Sequence, residues 1–211
     1  MRVLLIIIAL LQIWVTIAQG KLLKGFGFKT GLVVANQDFD YTNPDLSLDT
    51  KSRVGFDLGG FVEWFDLPYL SILTEAHYIQ KGMVIEVEKT NVYGGHIGTI
   101  KFDYRVDYLS VSALGKFEVG GKFISPYLIA GSRFDFLLGS VTDGNDELYD
   151  NFKSTVMGGD IGIGLEFNPI NFPTILTEFR YSHDFSKAYK ADLLQVKNRS
   201  FEILVGLKLK D

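Results

Sequence analysis

Residues 124–138 read ISPYLIAGSRFDFLL, and taken two at a time they separate into two unlike faces. Leu128, Ala130, Phe134, Phe136 and Leu138 fall on one side, with Ser132 the one polar residue among them. Ile129, Gly131, Arg133 and Asp135 fall on the other. A strand points alternate side chains to opposite faces. This one therefore has a continuous apolar face backed by a face of glycine and charge. A soluble sandwich would bury the first and wet the second. The same pairing recurs along the chain, and the recurring charged face argues for a closed sheet with an apolar outside.

Seven further stretches repeat the pattern. In residues 24–36, Phe26, Phe28, Thr30, Leu32 and Val34 oppose Gly25, Gly27, Lys29, Gly31 and Val33. In 53–66, Val54, Phe56, Leu58, Val62 and Trp64 oppose Gly55, Asp57, Gly59, Phe61 and Glu63. Residues 69–81, 105–117, 155–167, 174–185 and 198–210 alternate in the same way. Short turns follow the second, fourth and sixth stretches. Polar loops at 37–52, 83–104, 139–154 and 186–197 follow the others. Within 83–104, segments 83–87 and 97–102 keep some alternation, as a hairpin prolonging its two strands would. Short connections on one side and long ones on the other are the habit of an outer-membrane barrel, and each stretch is long enough to cross at a tilt. The expected fold is all-β: an eight-stranded, antiparallel, up-and-down transmembrane β-barrel over residues 21–211.

Composition agrees. The 211 residues include 22 Gly, 17 Phe and 10 Tyr but only 5 Pro, a mix suited to strands and turns. There is no cysteine, which excludes disulfides and thiolate metal sites. The net charge of −4, without a basic stripe, argues against a nucleic-acid partner. Residues 1–20 read as a signal peptide: Arg2, then an apolar run over 3–17 broken only by Gln12 and Thr16, then small residues around Ala18 and Gly20. Beyond it no apolar run has the length of a membrane-spanning helix.

The faces opposite the apolar ones carry Asp57, Glu63, Glu75, Asp135, Asp160, Glu166, Glu178, Asp184 and Glu202, with Lys29, Arg53, Lys116, Arg133, Arg180 and Lys208. An unpaired buried charge costs several kcal/mol, so a dry soluble core cannot hold them. Inside a small membrane barrel they can pair. Glu63, Glu75, Lys116, Arg133, Asp135, Asp160, Glu166, Glu178, Arg180, Asp184, Glu202 and Lys208 are the expected interior polar network, structural in role. The competing reading is a soluble lipocalin-like barrel with the faces reversed. Few lysines on the charged faces, and the loop asymmetry, weigh against it. Trp64, Phe65, Tyr69, Phe117, Phe123, Tyr127, Phe167 and Phe172 lie near the short turns, as a lower aromatic girdle would. Eight strands leave an interior just filled by side chains, so no general pore is expected. The excess of acids would still suit a narrow wet path.

Several pieces resemble the PorT-like outer-membrane β-barrel proteins of Bacteroidetes and related phyla. They are residues 69–82 ending Gln80-Lys81-Gly82, Asp107-Tyr108-Leu109-Ser110-Val111, Ser125-Pro126-Tyr127-Leu128-Ile129-Ala130-Gly131, Arg133-Phe134-Asp135, Gly162-Ile163-Gly164-Leu165-Glu166-Phe167, Glu178-Phe179-Arg180-Tyr181, and the closing stretch 198–209. Their order and spacing span nearly all of residues 21–211. Ser112 stands where that family usually has proline, and the chain ends Leu209-Lys210-Asp211 without a terminal aromatic. The resemblance implies outer-membrane lipid as the surroundings. It also implies secretion-system or periplasmic proteins as partners.

Catalytic signals are thin. Some small barrels modify lipid A with a His, a Ser and an acid, and His183 has Ser182 and Asp184 beside it. Sequence neighbours in a strand point apart, however, so the three do not converge. His77 faces inward two residues from Glu75 and suits a polar network, while His96 falls in a loop. The acidic loops lack a calcium-loop motif. Asn198-Arg199-Ser200 is a chance glycosylation triplet. No cofactor or metal is expected, and the reading is of a non-enzymatic scaffold or interaction protein. The other readings are a small channel and a lipid-modifying enzyme.

Overall fold

The computed structural model describes residues 22–41, 50–142, 152–190 and 194–209. The expected signal peptide lies outside these residues, as do parts of three long loops. The strands are β1 (Leu23–Tyr41), β2 (Lys51–Trp64), β3 (Leu70–Thr90), β4 (His96–Glu118), β5 (Ile124–Thr142), β6 (Thr155–Phe167), β7 (Thr174–Asp184), β8 (Tyr189–Lys190) and β9 (Leu194–Leu209). β8 is a two-residue arm on β9. The other eight form an antiparallel sheet in the order β1-β2-β3-β4-β5-β6-β7-β9. That sheet closes on itself: β1 pairs with β9 from Phe26↔Leu209 to Tyr41↔Leu194. Closure leaves no open edge around the ring, which is what hydrocarbon requires of a sheet. Among the described residues no helix is long and apolar enough to cross a membrane, so any crossing falls to the strands.

The faces sort as the alternation requires. Phe26, Phe28, Leu32, Val54, Leu58, Leu128, Phe134, Phe136, Ile161, Ile163, Phe179, Ile203 and Val205 are exposed on the outer wall. The twelve expected network residues are all buried on the inner one. Inward glycines make the room. A Cβ on Gly164 would stand 2.2 Å from Cζ of Tyr127, and one on Gly59 would stand 2.4 Å from Cγ of His77.

Three expectations need correction. Tyr127 does not join the lower girdle. It is an odd-numbered residue of β5, so it points inward and is 3 % exposed. Tyr69, Phe117, Phe123 and Phe172 are exposed near the short turns as expected. Arg53, expected to face inward, donates from Nε to Asp103 at 2.7 Å rather than to an interior acid. Residues 83–104 are mostly strand rather than loop. The β3–β4 ladder runs without a break from Leu70↔Phe117 to Lys89↔Gly98, then shifts to Thr90↔His96. β2 leaves β3 at Val84 and β5 leaves β4 at Tyr104. The hairpin therefore projects alone by about six residues, roughly 20 Å at strand rise. Its base is marked by Gly82, whose φ of +132° and 1.9 Å Cβ approach to the Tyr104 carbonyl exclude a side chain.

Along this projection the outer face changes character. Glu86, Lys101 and Asp103 replace the apolar residues, and Lys51 joins Glu86 through an ion pair. The paired amines of Lys51 and Lys101 hold the Glu86 carboxyl below the usual glutamate range. The tip residues Val92 and Tyr93 are 95 % and 93 % exposed.

Candidate functional site

The inner wall stacks into four layers, set by where each strand's inward residues fall in the register. The first layer lies at the short-turn end. Glu63, Glu118 and Glu166 meet Lys24, Lys116 and Lys208 there. Lys208 Nζ lies 3.0 Å from Glu63 and 2.6 Å from Glu166. Lys116 reaches Glu63 at 3.1 Å and also pairs with Glu166. Lys24 lies 3.0 Å from Glu118, and Ser71 donates to Glu63 at 2.6 Å. The three carboxylates bring oxygens within 4.8 Å of one another, a metal-like spacing. Three ammonium groups already neutralise them.

The second layer is apolar: Phe61, Leu73, Leu114, Tyr127, Ile129 and Leu176. It touches the charged layers through ring faces. Lys29 Nζ lies 5.2 Å from the Phe61 ring centre, and Lys116 Nζ lies 4.7 Å from that of Tyr127. The cavity left between these layers is only about 10 Å³.

The third layer is a polar chamber. Lys29 bridges Glu75 at 2.7 Å and Glu178 at 2.8 Å. Arg180 donates to Glu178 and, across the bore, to Glu75 at 2.8 Å. Tyr127 donates its hydroxyl to Glu178 at 2.9 Å. His77 pairs with Asp57 through Nδ1. Arg133 donates to Asp160 at 2.8 Å and to Asp184 at 2.7 Å. Lys81 donates to Asp135 at 2.6 Å. Glu202 receives Ser182 at 2.9 Å and Ser200 at 3.0 Å.

The fourth layer closes the outer end with Val33, Ala35, Ile79, Val106, Tyr108, Val156 and Val196, joined by Phe152 and Ala188 from the connections. The sequence-predicted residues thus divide into two groups. Glu63, Lys116, Glu166 and Lys208 form the first layer, while Glu75, Arg133, Asp135, Asp160, Glu178, Arg180, Asp184 and Glu202 form the third.

Three cations and acids of these layers escape a simple count of alternation. Lys24 is even-numbered and should face out, but a register shift between Leu23 and Gly25 turns it inward. Glu118 and Lys81 sit at or beyond the expected strand ends, and following the alternation two residues further would have found both. The His183 constellation separates as expected. Ser182 and Asp184 point inward to Glu202 and Arg133, while His183 stacks on Tyr181 outside, ring centres 6.4 Å apart.

The fold is similar to that of the outer membrane protein OprG from Pseudomonas aeruginosa, with a TM-score of 0.51 at 12 % identity over 92 % of this chain and 99 % of that one. Lower likenesses reach the Neisserial surface protein A (TM-score 0.44, 14 % identity, 87 % and 97 % covered) and the Ail protein of Yersinia pestis (TM-score 0.41, 17 % identity, 88 % and 99 % covered). No curated protein matches the sequence. Residues 18–190 match the family described as outer membrane protein beta-barrel domain. The chain belongs to that family and is a transmembrane β-barrel of the outer membrane.

Proposed function

We propose that the protein is a non-enzymatic scaffold whose sealed barrel anchors outer loops as an interaction surface. The observation that carries this reading is the filled bore. Two apolar layers alternate with two salt-bridged ones, and the cavity lined by Phe61, Tyr127 and Leu176 between the first charged layer and the chamber is about 10 Å³. A solute would have to break buried ion pairs and displace the outer plug. The interior network serves as structure, locking each strand to its neighbours through charges that cannot stay unpaired. The β3–β4 hairpin is the part built to be met from outside, with a charged outer face and an apolar tip. The PorT-like resemblance adds a secretion-system complex as the partner class.

Planar-bilayer recording tests the sealed bore: the purified protein should give no discrete conductance, and reproducible single-channel steps would refute the reading. Tagged protein taken from outer membranes in mild detergent should bring a stoichiometric partner. A variant with residues 86–101 replaced by a two-residue turn should insert normally and lose that partner. Lipid A of unchanged composition after deletion of the gene is expected, and an altered lipid A would return the enzyme reading.

A further inference from the structure

The chamber between the two apolar layers does not balance its charge. Among the described residues it holds seven carboxylates: Asp57, Glu75, Asp135, Asp160, Glu178, Asp184 and Glu202. Against them stand the permanent cations Lys29, Lys81, Arg133 and Arg180, with His77 as a fifth when protonated. None of these twelve residues is more than 5 % exposed. The first layer, by contrast, matches three acids to three lysines.

Local pairing shows where the excess lies. Lys29 and Arg180 serve Glu75 and Glu178, His77 serves Asp57, and Lys81 serves Asp135. Arg133 serves Asp160 and Asp184 and lies 3.0 Å from Asp135 as well. Asp184 gains the backbone N–H of Asn198 at 3.0 Å and its side-chain amide at 2.7 Å. Asp160 keeps its bond from Arg133, while its Oδ2 is buried without a hydrogen-bond partner, 3.6 Å from Nη1 of Arg180. Glu202 is held by two serine hydroxyls, and its ion pair is a long one, to Nε of Arg180 at 3.9 Å. The charged groups facing Glu202 from the surrounding strands are Asp57 on β2, Lys81 on β3, Arg133 on β5, Asp160 on β6 and Arg180 on β7, with Val33 opposite on β1. An ionised carboxylate without a close cation is strongly disfavoured in such an enclosed space.

We infer that the chamber is a proton-binding site: at neutral pH Glu202 carries a proton. That exchangeable proton stands beneath the apolar plug in place of a missing cation. A bound monovalent metal ion is the competing way to supply the same charge. The inference is independent of what the loops bind.

Infrared spectroscopy of the folded full-length protein at neutral pH tests it, because exposed carboxylates are ionised there and only buried neutral ones give a carboxylic C=O band. The band should be present in the wild type. Glu202→Gln should remove it while leaving the heat stability of the barrel near that of the wild type. Glu178→Gln, which strips an ion-paired acid, should leave the band and lower the stability. No carboxylic band in the wild type overturns the inference, whether or not the variant folds. So does a band that Glu202→Gln leaves unchanged. Absence of the band together with heat stability that rises with sodium or potassium assigns the charge to a metal ion, and also overturns it.

Discussion

Replacing Arg180 with Met removes the cation that spans the bore. The methionine fills part of the volume, so the change is chiefly electrostatic. Arg180 donates to Glu178 from Nε at 2.9 Å and from Nη2 at 2.5 Å, and to Glu75 at 2.8 Å. Lys29 would be left as the one cation for two buried carboxylates. Breaking a buried pair by removing one partner costs about 3–5 kcal/mol. At this chain length a loss of 1 kcal/mol lowers the melting temperature by about 2–4 °C, so a drop of about 6–20 °C is expected. The assay is the electrophoretic shift between folded and heat-unfolded barrel, followed against temperature in one detergent. Arg180→Lys keeps the charge but not the fork of donors and should fall between the two. Adding Glu178→Gln to Arg180→Met should recover part of the loss, because the remaining carboxylate then keeps Lys29. A melting temperature for Arg180→Met within about 2 °C of wild type, under 1 kcal/mol by the same conversion, would refute the view that the chamber's pairs hold the barrel.

Three further outcomes are expected. Gly164→Ala places a methyl 2.2 Å from Cζ of Tyr127 and 2.7 Å from the Thr177 carbonyl; it should cost about 1–3 kcal/mol by overpacking, read in the same melting assay. Ile161 stands halfway along β6, 61 % exposed on the outer wall. Ile161→Lys should cost about 2–4 kcal/mol in a bilayer, whereas Thr90→Lys on the projecting hairpin should cost nothing measurable. The Glu86 carboxyl, held low first by its bond from Lys51 and then by that from Lys101, should titrate below an ordinary glutamate by NMR. Its pairing persists above the ordinary glutamate range and is lost as pH falls through the lowered value, and Lys51→Ala should move that titration back up.

How much of this was readable in advance depends on the link in question. Alternation assigned Phe134 and Ile161 outward and Arg133, Glu178 and Glu202 inward correctly, because a period of two admits only two answers. It failed at Lys24, where a register shift breaks the period. Parity turns Tyr127 inward although it lies near a turn. The projecting hairpin was half legible. Residues 83–87 and 97–102 kept their alternation, but only pairing between β3 and β4 could make one ladder of them.

The partners of each charge were only partly legible. The same-face neighbours Arg133 and Asp135 in β5 do pair at 3.0 Å, as Glu178 and Arg180 do in β7, yet the hydrogen bonds of Arg133 go to Asp160 on β6 and Asp184 on β7. Arg180 reaches Glu75 on the far side of the ring. Which residue faces in is a local matter, decided by backbone geometry one residue at a time, and the amino-acid sequence by itself determined it. Which inward residues share a layer depends on the register of eight strands at once and on the closure of β1 onto β9. Only the tertiary structure could stack the inner wall into alternating charged and apolar layers, and so enclose more acids than cations beneath the plug.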